Sequence, residues 1–325
     1  MTRAVDSQGR RLRNMTLGPV EDGRVVLVFG GANVDIEGRS FSPLIAGDSN
    51  PGNVTRSPGG VARNIAENLA RLGTPTRLYT ILGDDPDGRW LHEHTHEAGV
   101  DMSGTLWIRD APTSTYLSIL DPRGEMAVAI SDMDILSHLG PEQVPVAALV
   151  NAAVVVVDAN LEEETLDRIF GIAADTPVFV DPVSTTKATR IGPFLDRIHT
   201  LKPNRTEAEV LSGTEITDQA TLWQAAERLL EAGVARVVVT LGSEGVFYAD
   251  THGSGTIAGV RRPLASVTGA GDALMAGLVW AHLEGKTLRE AVAVGTDMAS
   301  TPLGHHSRPT ATDSQPAQER LSRRK

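Results

Sequence analysis

The 325-residue chain contains no cysteine. Disulfides, thiolate nucleophiles and cysteine-ligated zinc are therefore excluded. Long apolar runs are missing as well: no stretch approaches the ~20 residues that cross a bilayer. The opening residues, MTRAVDSQGRRLRNMTLGPVEDGR, have no apolar signal core. These absences predict a soluble cytoplasmic protein with no membrane partner. An excess of positive charge is also lacking. With 30 Lys+Arg against 41 Asp+Glu, the formal net charge is -11. That argues against a surface for nucleic acid polymer, though not against a nucleotide-sized ligand in a local basic pocket. The remaining balance, 41% hydrophobic and 22% charged, is ordinary for a globular chain of one large α/β domain with insertions, or of two domains.

What is present is a repeated strand–helix rhythm. Residues 25–29 (VVLVF) form a continuous apolar run that ends at Gly30-Gly31, the pattern of a buried parallel strand. Asn33 and Asp35 follow at once. Ligands bind beyond the carboxyl ends of such strands, so both are site candidates; an Asx-turn explains them equally well. After Ser57-Pro58-Gly59-Gly60, apolar positions 61, 65, 69 and 72 mark one face of a helix that stops near Gly73. The two glycines put bare backbone at the start of that helix, and Asn64 lies one turn in. Residues 77–82 read as a strand and 87–98 as a helix. His92 and His96 share a helical face but His94 does not, so the trio reads as a solvated face rather than a metal site. Residues 113–120 alternate and are rich in β-formers, Asp121-Pro122-Arg123-Gly124 is turn chemistry, and 125–130 return as a partner strand. A hairpin does not fit the parallel sheet. With the stretch 37–58, which reads as an irregular excursion or a short strand, it predicts a small β lid over the strand ends.

Further strands are expected at 154–157, ending in Asp158; at 178–180, ending in Asp181-Pro182; at 198–201, running into Lys202-Pro203-Asn204-Arg205-Thr206-Glu207; and at 237–240, ending in Leu241-Gly242-Ser243-Glu244-Gly245. Lys187 lies in the loop after the second of these. Asn204 and Glu207 share one face of a starting helix, which is equally the spacing of a capping box. Residues 1–24 are expected to be a flexible arm and 304–325 a disordered tail.

The most informative stretch is Val267-Thr268-Gly269-Ala270-Gly271-Asp272-Ala273-Leu274-Met275-Ala276-Gly277. A helix starting near Ala270 would leave its first N–H groups unpaired, at the positive end of the helix dipole, which is a site for phosphate. Asp272 then sits in the first turn. A carboxylate there repels phosphate but is a good acceptor for the proton of an attacking hydroxyl. The competing explanation is glycines that pack and an Asp that caps.

Four separated motifs agree: Asn33 with Asp35, PGGVARN, KPNRTE and VTGAGD. Their order and spacing resemble the ribokinase-like (PfkB) family of carbohydrate kinases over about residues 25–303. Finer stretches (DSNPG at 48–52, SDMDI at 131–135, FVDPVS at 179–184 and HTLKPNRTEAEVLSG at 199–213) resemble a nucleoside-phosphorylating branch of it. The resemblance implies an α/β, ribokinase-like fold: a central, mostly parallel sheet flanked by helices, with a small β lid from about 37–58 and 104–130. It implies a small-molecule nucleoside substrate, ATP and Mg²⁺, and it allows a homodimer. It implies Asp272 as the base and the N–H groups of Gly269, Ala270 and Gly271 as the cradle for the transferring group. Asp35, Gly60 and Asn64 would bind the ribose, with Asn33, Gly59, Thr115 and Lys187 beside them. Ser49, Asn50 and Ser118 join Thr115 and Lys187 as candidates for reading the base. Asn204 and Glu207 would organise Mg²⁺ around the ATP phosphates, and Thr240, Gly242, Gly245, Thr268 and Asn204 would border the nucleotide. One departure stands out. Many members carry Asp-Thr shortly before the GAGD-like stretch, where the Asp serves a monovalent cation; here the residues are Ser266-Val267. A kinase of the same family with another substrate, or a non-catalytic nucleoside-binding protein on the same scaffold, are the rival readings.

Overall fold

A computed structural model describes residues 25–259 and 269–300, together with the backbone of Leu12–Arg13. Thr268, Ser266-Val267, the tail 304–325 and the rest of the expected N-terminal arm lie outside the described residues. Within that arm, Leu12–Arg13 pair antiparallel with Leu106–Ile108.

Eight strands form the central sheet, in the order Gly253–Ile257, Val246–Asp250, Arg236–Thr240, Thr200–Leu201, Val178–Asp181, Val154–Asp158, Val26–Phe29 and Thr76–Tyr79. The last six run parallel. The first two form an antiparallel hairpin at the edge, which the sequence reading did not anticipate. Every residue of Val26–Phe29 and Val154–Asp158 is buried. Side chains alternate between two cores: Val155 and Val157 pack on one face, Val154 and Val156 on the other. Burial on both faces is why these strands read as unbroken apolar runs.

The long helix Ala270–Leu283 is buried from Asp272 through Ala281. It lies between the helices Val61–Arg71 and Leu288–Ala299. Gly277 meets Gly295 so closely that an added Cβ would lie 2.6 Å from the Gly295 Cα. The helix Val61–Arg71 is likewise buried at all positions from Ala62 to Leu69, well beyond the single apolar face in its sequence. It carries buried Arg63, Asn64, Glu67 and Asn68, so polar identity there does not signal exposure.

A four-stranded sheet stands apart, in the order Gly52–Gly59, Asn33–Ser40, Thr115–Leu120, Met126–Asp132. It differs from the expected lid in three ways. Asn33–Ser40 and Gly52–Gly59 are two full strands in antiparallel register, from Asn33↔Gly59 to Ser40↔Gly52, where 37–58 read as an irregular excursion or one short strand. Asn33–Ser40 pairs parallel with Thr115–Leu120, a pairing the expected antiparallel hairpin did not include. Leu106–Ile108 lies outside it, paired parallel with Ile81–Gly83 in a small separate sheet. The expected strand 77–82 is likewise two strands, Thr76–Tyr79 and Ile81–Gly83, in different sheets. The backbone leaves the central sheet at Thr80, whose carbonyl accepts from Leu106 N. No described helix is long and apolar enough to cross a membrane.

Candidate active site

The carboxyl ends of the parallel strands, where open α/β sheets place ligands, carry a row of buried polar groups. Asp158 and Asp181 end adjacent strands in direct register. Lys202 follows the next strand and Thr240 ends the one after. Helix Ala270–Leu283 begins beside this row.

Gly269 is the N-cap of that helix in a left-handed conformation, φ 88°, which a glycine adopts freely. No side chain caps the helix. The N–H groups of its first turn therefore remain available to an anion. Asp272 does not cap; its Oδ2 accepts from Asn64 Nδ2 at 2.8 Å. Burial pushes the Asp272 carboxyl up to about 7, reinforced by the charge of Asp181 and opposed by Asn64 and Lys202. A carboxyl poised there can accept a proton near neutral pH.

Asn64 is itself oriented. Its Oδ1 accepts from the buried guanidinium of Arg63, which fixes the amide with its N–H groups toward Asp272. Arg63 also donates to Gly59 O at 3.0 Å and pairs with Glu67. The sequence reading passed over Arg63, because an arginine in an amphipathic pattern looks solvated; it is only 2% exposed.

On the lid side, Asn33 Nδ2 donates to Asp35 Oδ1 at 2.6 Å. Both lie in the lid strand, so the Asx-turn alternative is not realised. Burial raises the Asp35 pKa, while Asn33 and Arg63 oppose the shift. A Cβ on Gly59 would lie 2.4 Å from the Asp35 carboxyl, and one on Gly60 would lie 2.4 Å from Gly31 O. The two glycines thus bring the lid, the Gly30-Gly31 turn and the Asn64 helix together. Asp158 ties the same parts: its carboxylate accepts from Gly31 N at 2.9 Å and Ala62 N at 3.1 Å. Thr115 pairs in register with Val34, next to Asp35, and its hydroxyl donates to Thr113 O.

Lys187 is half-buried and donates to Asn160 Oδ1 at 2.5 Å. Burial lowers its pKa, and the charge of Asp158 opposes that. The Asn160 amide nitrogen would lie 2.8 Å from a Cβ on Gly31, which places the pair beside the substrate-side residues. Asn160 was not foreseen; its signal was its place just after the strand ending at Asp158. Asn50 is spent elsewhere, on Ile45 and Asp48 of its own loop, and Ser49 is exposed.

Asn204 and Glu207 form the full capping box of helix Arg205–Ser212: Asn204 Oδ1 accepts from Glu207 N, and Glu207 Oε2 from Asn204 N, each at 2.9 Å. Glu207 is nonetheless buried. Burial raises its pKa, and the charge of Asp181 adds to this against the Asn204 backbone bond and Lys202. Thr240 N donates to Pro203 O, so the loop holding Gly242 and Gly245 begins beside Asn204. Gly242 is exposed and Gly245 buried. Among the described residues no three His or acidic groups are gathered to hold a metal, the trio of histidines included.

A family model described as pfkB family carbohydrate kinase matches residues 24–314. A pseudouridine kinase of Escherichia coli (strain K12) is 41% identical over 281 residues, 86% of this chain and 90% of that protein. An uncharacterized sugar kinase, YeiI, of the same organism is 38% identical, over 87% of this chain and 80% of its own. The crystal structure of a putative sugar kinase from Clostridium perfringens superposes with a TM-score of 0.75 at 36% identity, covering 86% of this chain and 90% of the other.

Proposed function

This chain belongs to the pfkB family of carbohydrate kinases, and on that premise we propose that it transfers the γ-phosphoryl group of ATP to the 5′-hydroxyl of pseudouridine, in the cytoplasm. The observation that carries the chemistry is Asp272: a buried carboxyl, held by Asn64, at the start of an uncapped helix. The likeness to a pseudouridine kinase over nearly the whole chain supports the substrate.

In this reading Asp35, Asn33 and Asn64 take the ribose hydroxyls, with Gly59, Gly60 and Thr115 shaping the cleft. Asp272 accepts the proton of the 5′-hydroxyl. The N–H groups of Gly269, Ala270 and Gly271 hold the transferring group, and Thr240, Gly242, Gly245 and Thr268 border the nucleotide. Phosphoryl transfer needs chiefly positioning and charge neutralisation, which such a cleft supplies. Mg²⁺ fits this donor set. Buried Glu207 feels the charge of Asp181, and Lys202 is the counter-charge that Asp181, Asp272 and Glu207 share; Mg²⁺ favours one or two carboxylates with waters and phosphates over an all-protein cage. Glu207 and Asn204 would hold it, and when bound it would neutralise the ATP phosphates.

Ribose contacts cannot separate pseudouridine from uridine, because both carry the same sugar. Pseudouridine is linked through carbon and exposes an extra ring N–H. Asn160 and Lys187 are the polar pair beside the ribose residues, and the Asn160 amide oxygen can accept from that N–H in place of Lys187. Uridine has no N–H there and forgoes that hydrogen bond, at about 0.5–1.5 kcal/mol. The kcat/KM for pseudouridine should therefore exceed that for uridine and for ribose by about two- to tenfold. Steady-state kinetics on the three substrates tests this. Better use of ribose or a hexose would favour the second reading, a sugar kinase of the same family, to which the likeness with YeiI points. No ATP-dependent turnover on any of them would leave only a binding protein.

A further inference from the structure

We propose that Lys202 is a catalytic residue: its ammonium, paired with Asp181, contacts the γ-phosphoryl group when that group sits at the helix start Gly269–Gly271. The inference rests on the kinase reading above and adds a residue to it.

Lys202 is 6% exposed, and its Nζ lies 2.9 Å from Asp181 Oδ2. Its backbone is fixed to the sheet, with Lys202 N donating to Val180 O. A Cβ on Gly271 would lie 3.1 Å from Nζ, so the ammonium borders the first turn of the helix that offers its free N–H groups. Asp181 is itself pinned, since its other oxygen accepts from Val183 N at 2.9 Å. Val183 has a positive φ of 67°, an unfavourable conformation for a β-branched residue. Strain of this kind collects at functional sites.

An ammonium has three donors. Asp181 is the one hydrogen-bond partner of Lys202 Nζ among the described residues. Asp272 and Glu207 act on it through charge. A buried ion pair seldom stabilises a fold more than apolar residues of the same volume would, so stability alone explains this lysine poorly. A phosphoryl group at the helix start would meet the spare donors.

In the transfer, the nucleoside 5′-oxygen bonds to the γ-phosphorus as the bond from that phosphorus to the β–γ bridging oxygen breaks. The bridging electron pair leaves with ADP, and the hydroxyl proton passes to Asp272. Lys202 balances the charge on the transferring oxygens, as a fixed cation does in other phosphoryl transfers.

The test compares wild type, Lys202→Met, Asp181→Asn and the Asp181→Asn/Lys202→Met double variant. For each, kcat with pseudouridine and ATP and the dissociation constant of ADP alone are measured. Loss of one fixed electrostatic donor typically lowers kcat by about 10²–10³-fold. That loss is expected in Lys202→Met, with ADP affinity within about threefold of wild type, because ADP lacks the γ-phosphoryl group. The double variant removes both members of the pair together, so the loss of Lys202 does not leave Asp181 buried and unpaired. It should remain as slow as Lys202→Met. A double variant that recovers to the rate of Asp181→Asn would overturn the proposal, since Lys202 would then merely neutralise Asp181. An ADP affinity that falls in step with kcat would also overturn it. A wild type inactive on every acceptor would instead remove the kinase reading, so the two failures are distinct.

Discussion

Asp272→Asn should keep ATP binding and lose turnover, by about 10²–10⁴-fold in kcat, the usual cost of removing a general base. The amide retains the size of the carboxyl and can still bond to Asn64, so the fold has no reason to change. The same substitution should alter pH behaviour in a defined direction. The wild-type carboxyl titrates at about 7 in the fold, against an ordinary 3.8, first through burial and then through Asp181. Its raised value means that protonated Asp272 suits the folded state and ionised Asp272 does not. Stability from this group is full at acid pH and is lost as pH rises through about 7. Wild-type Tm should therefore decline between about pH 4 and pH 7 more than that of Asp272→Asn, and the two should run parallel above that. Activity runs the opposite way: kcat/KM of the wild type should climb through about pH 7 as the base ionises. A variant within a few-fold of wild type in kcat, or equal Tm profiles for the two proteins, would remove Asp272 from its role.

Gly60→Ala should cripple both the fold and nucleoside binding. Gly60 holds φ 100° at the N-cap of the helix carrying Asn64. Its Cβ would strike backbone, 2.4 Å from Gly31 O and 2.6 Å from Ala32 Cα, and backbone cannot swing aside. The strained conformation and the overpacking each cost about 1–3 kcal/mol. Gly73, at φ 77° with open space around its missing Cβ, is the matched control, since Gly73→Ala bears only the first cost. Gly60→Ala should melt several degrees below Gly73→Ala. It should also raise the KM for nucleoside, because Asn64 N bonds to Gly60 O and Arg63 N to Gly31 O, and both shift with the turn. Equal melting temperatures for the two alanine variants would show that the turn yields without cost.

How much of this was legible follows from what each residue type reveals locally. The parallel strands announced themselves because burial on both faces demands unbroken apolar runs. The helix at Ala270 was legible because Gly269 and Gly271 precede a long apolar stretch. The lid was harder. Strands 33–40 and 52–59 contain Gly, Pro, Arg and Ser, and Gly52–Gly59 is exposed over most of its length, so no apolar alternation marks it. The edge hairpin Val246–Ile257 was missed for a related reason: Gly253-Ser254-Gly255 has little β propensity and gains its pairing from register with Tyr248 and Ala249. In the site, Asn204 and Glu207 carried two explanations and the capping box is present. Their proximity to Lys202 and Asp181 depends on strand order, which local spacing does not encode. Arg63 and Asn160 were invisible because their value lies in the partners they orient, Asn64 and Lys187.

The central claim is phosphoryl transfer from ATP to the 5′-oxygen of pseudouridine by this site. Incubation of the enzyme with ATP, Mg²⁺ and pseudouridine, followed by ³¹P NMR of the products, tests it most directly. The account predicts ADP and pseudouridine 5′-phosphate in equal amounts, with neither formed by Asp272→Asn on the same timescale. Phosphate on another hydroxyl, or ADP with free phosphate and no nucleoside monophosphate, would contradict it.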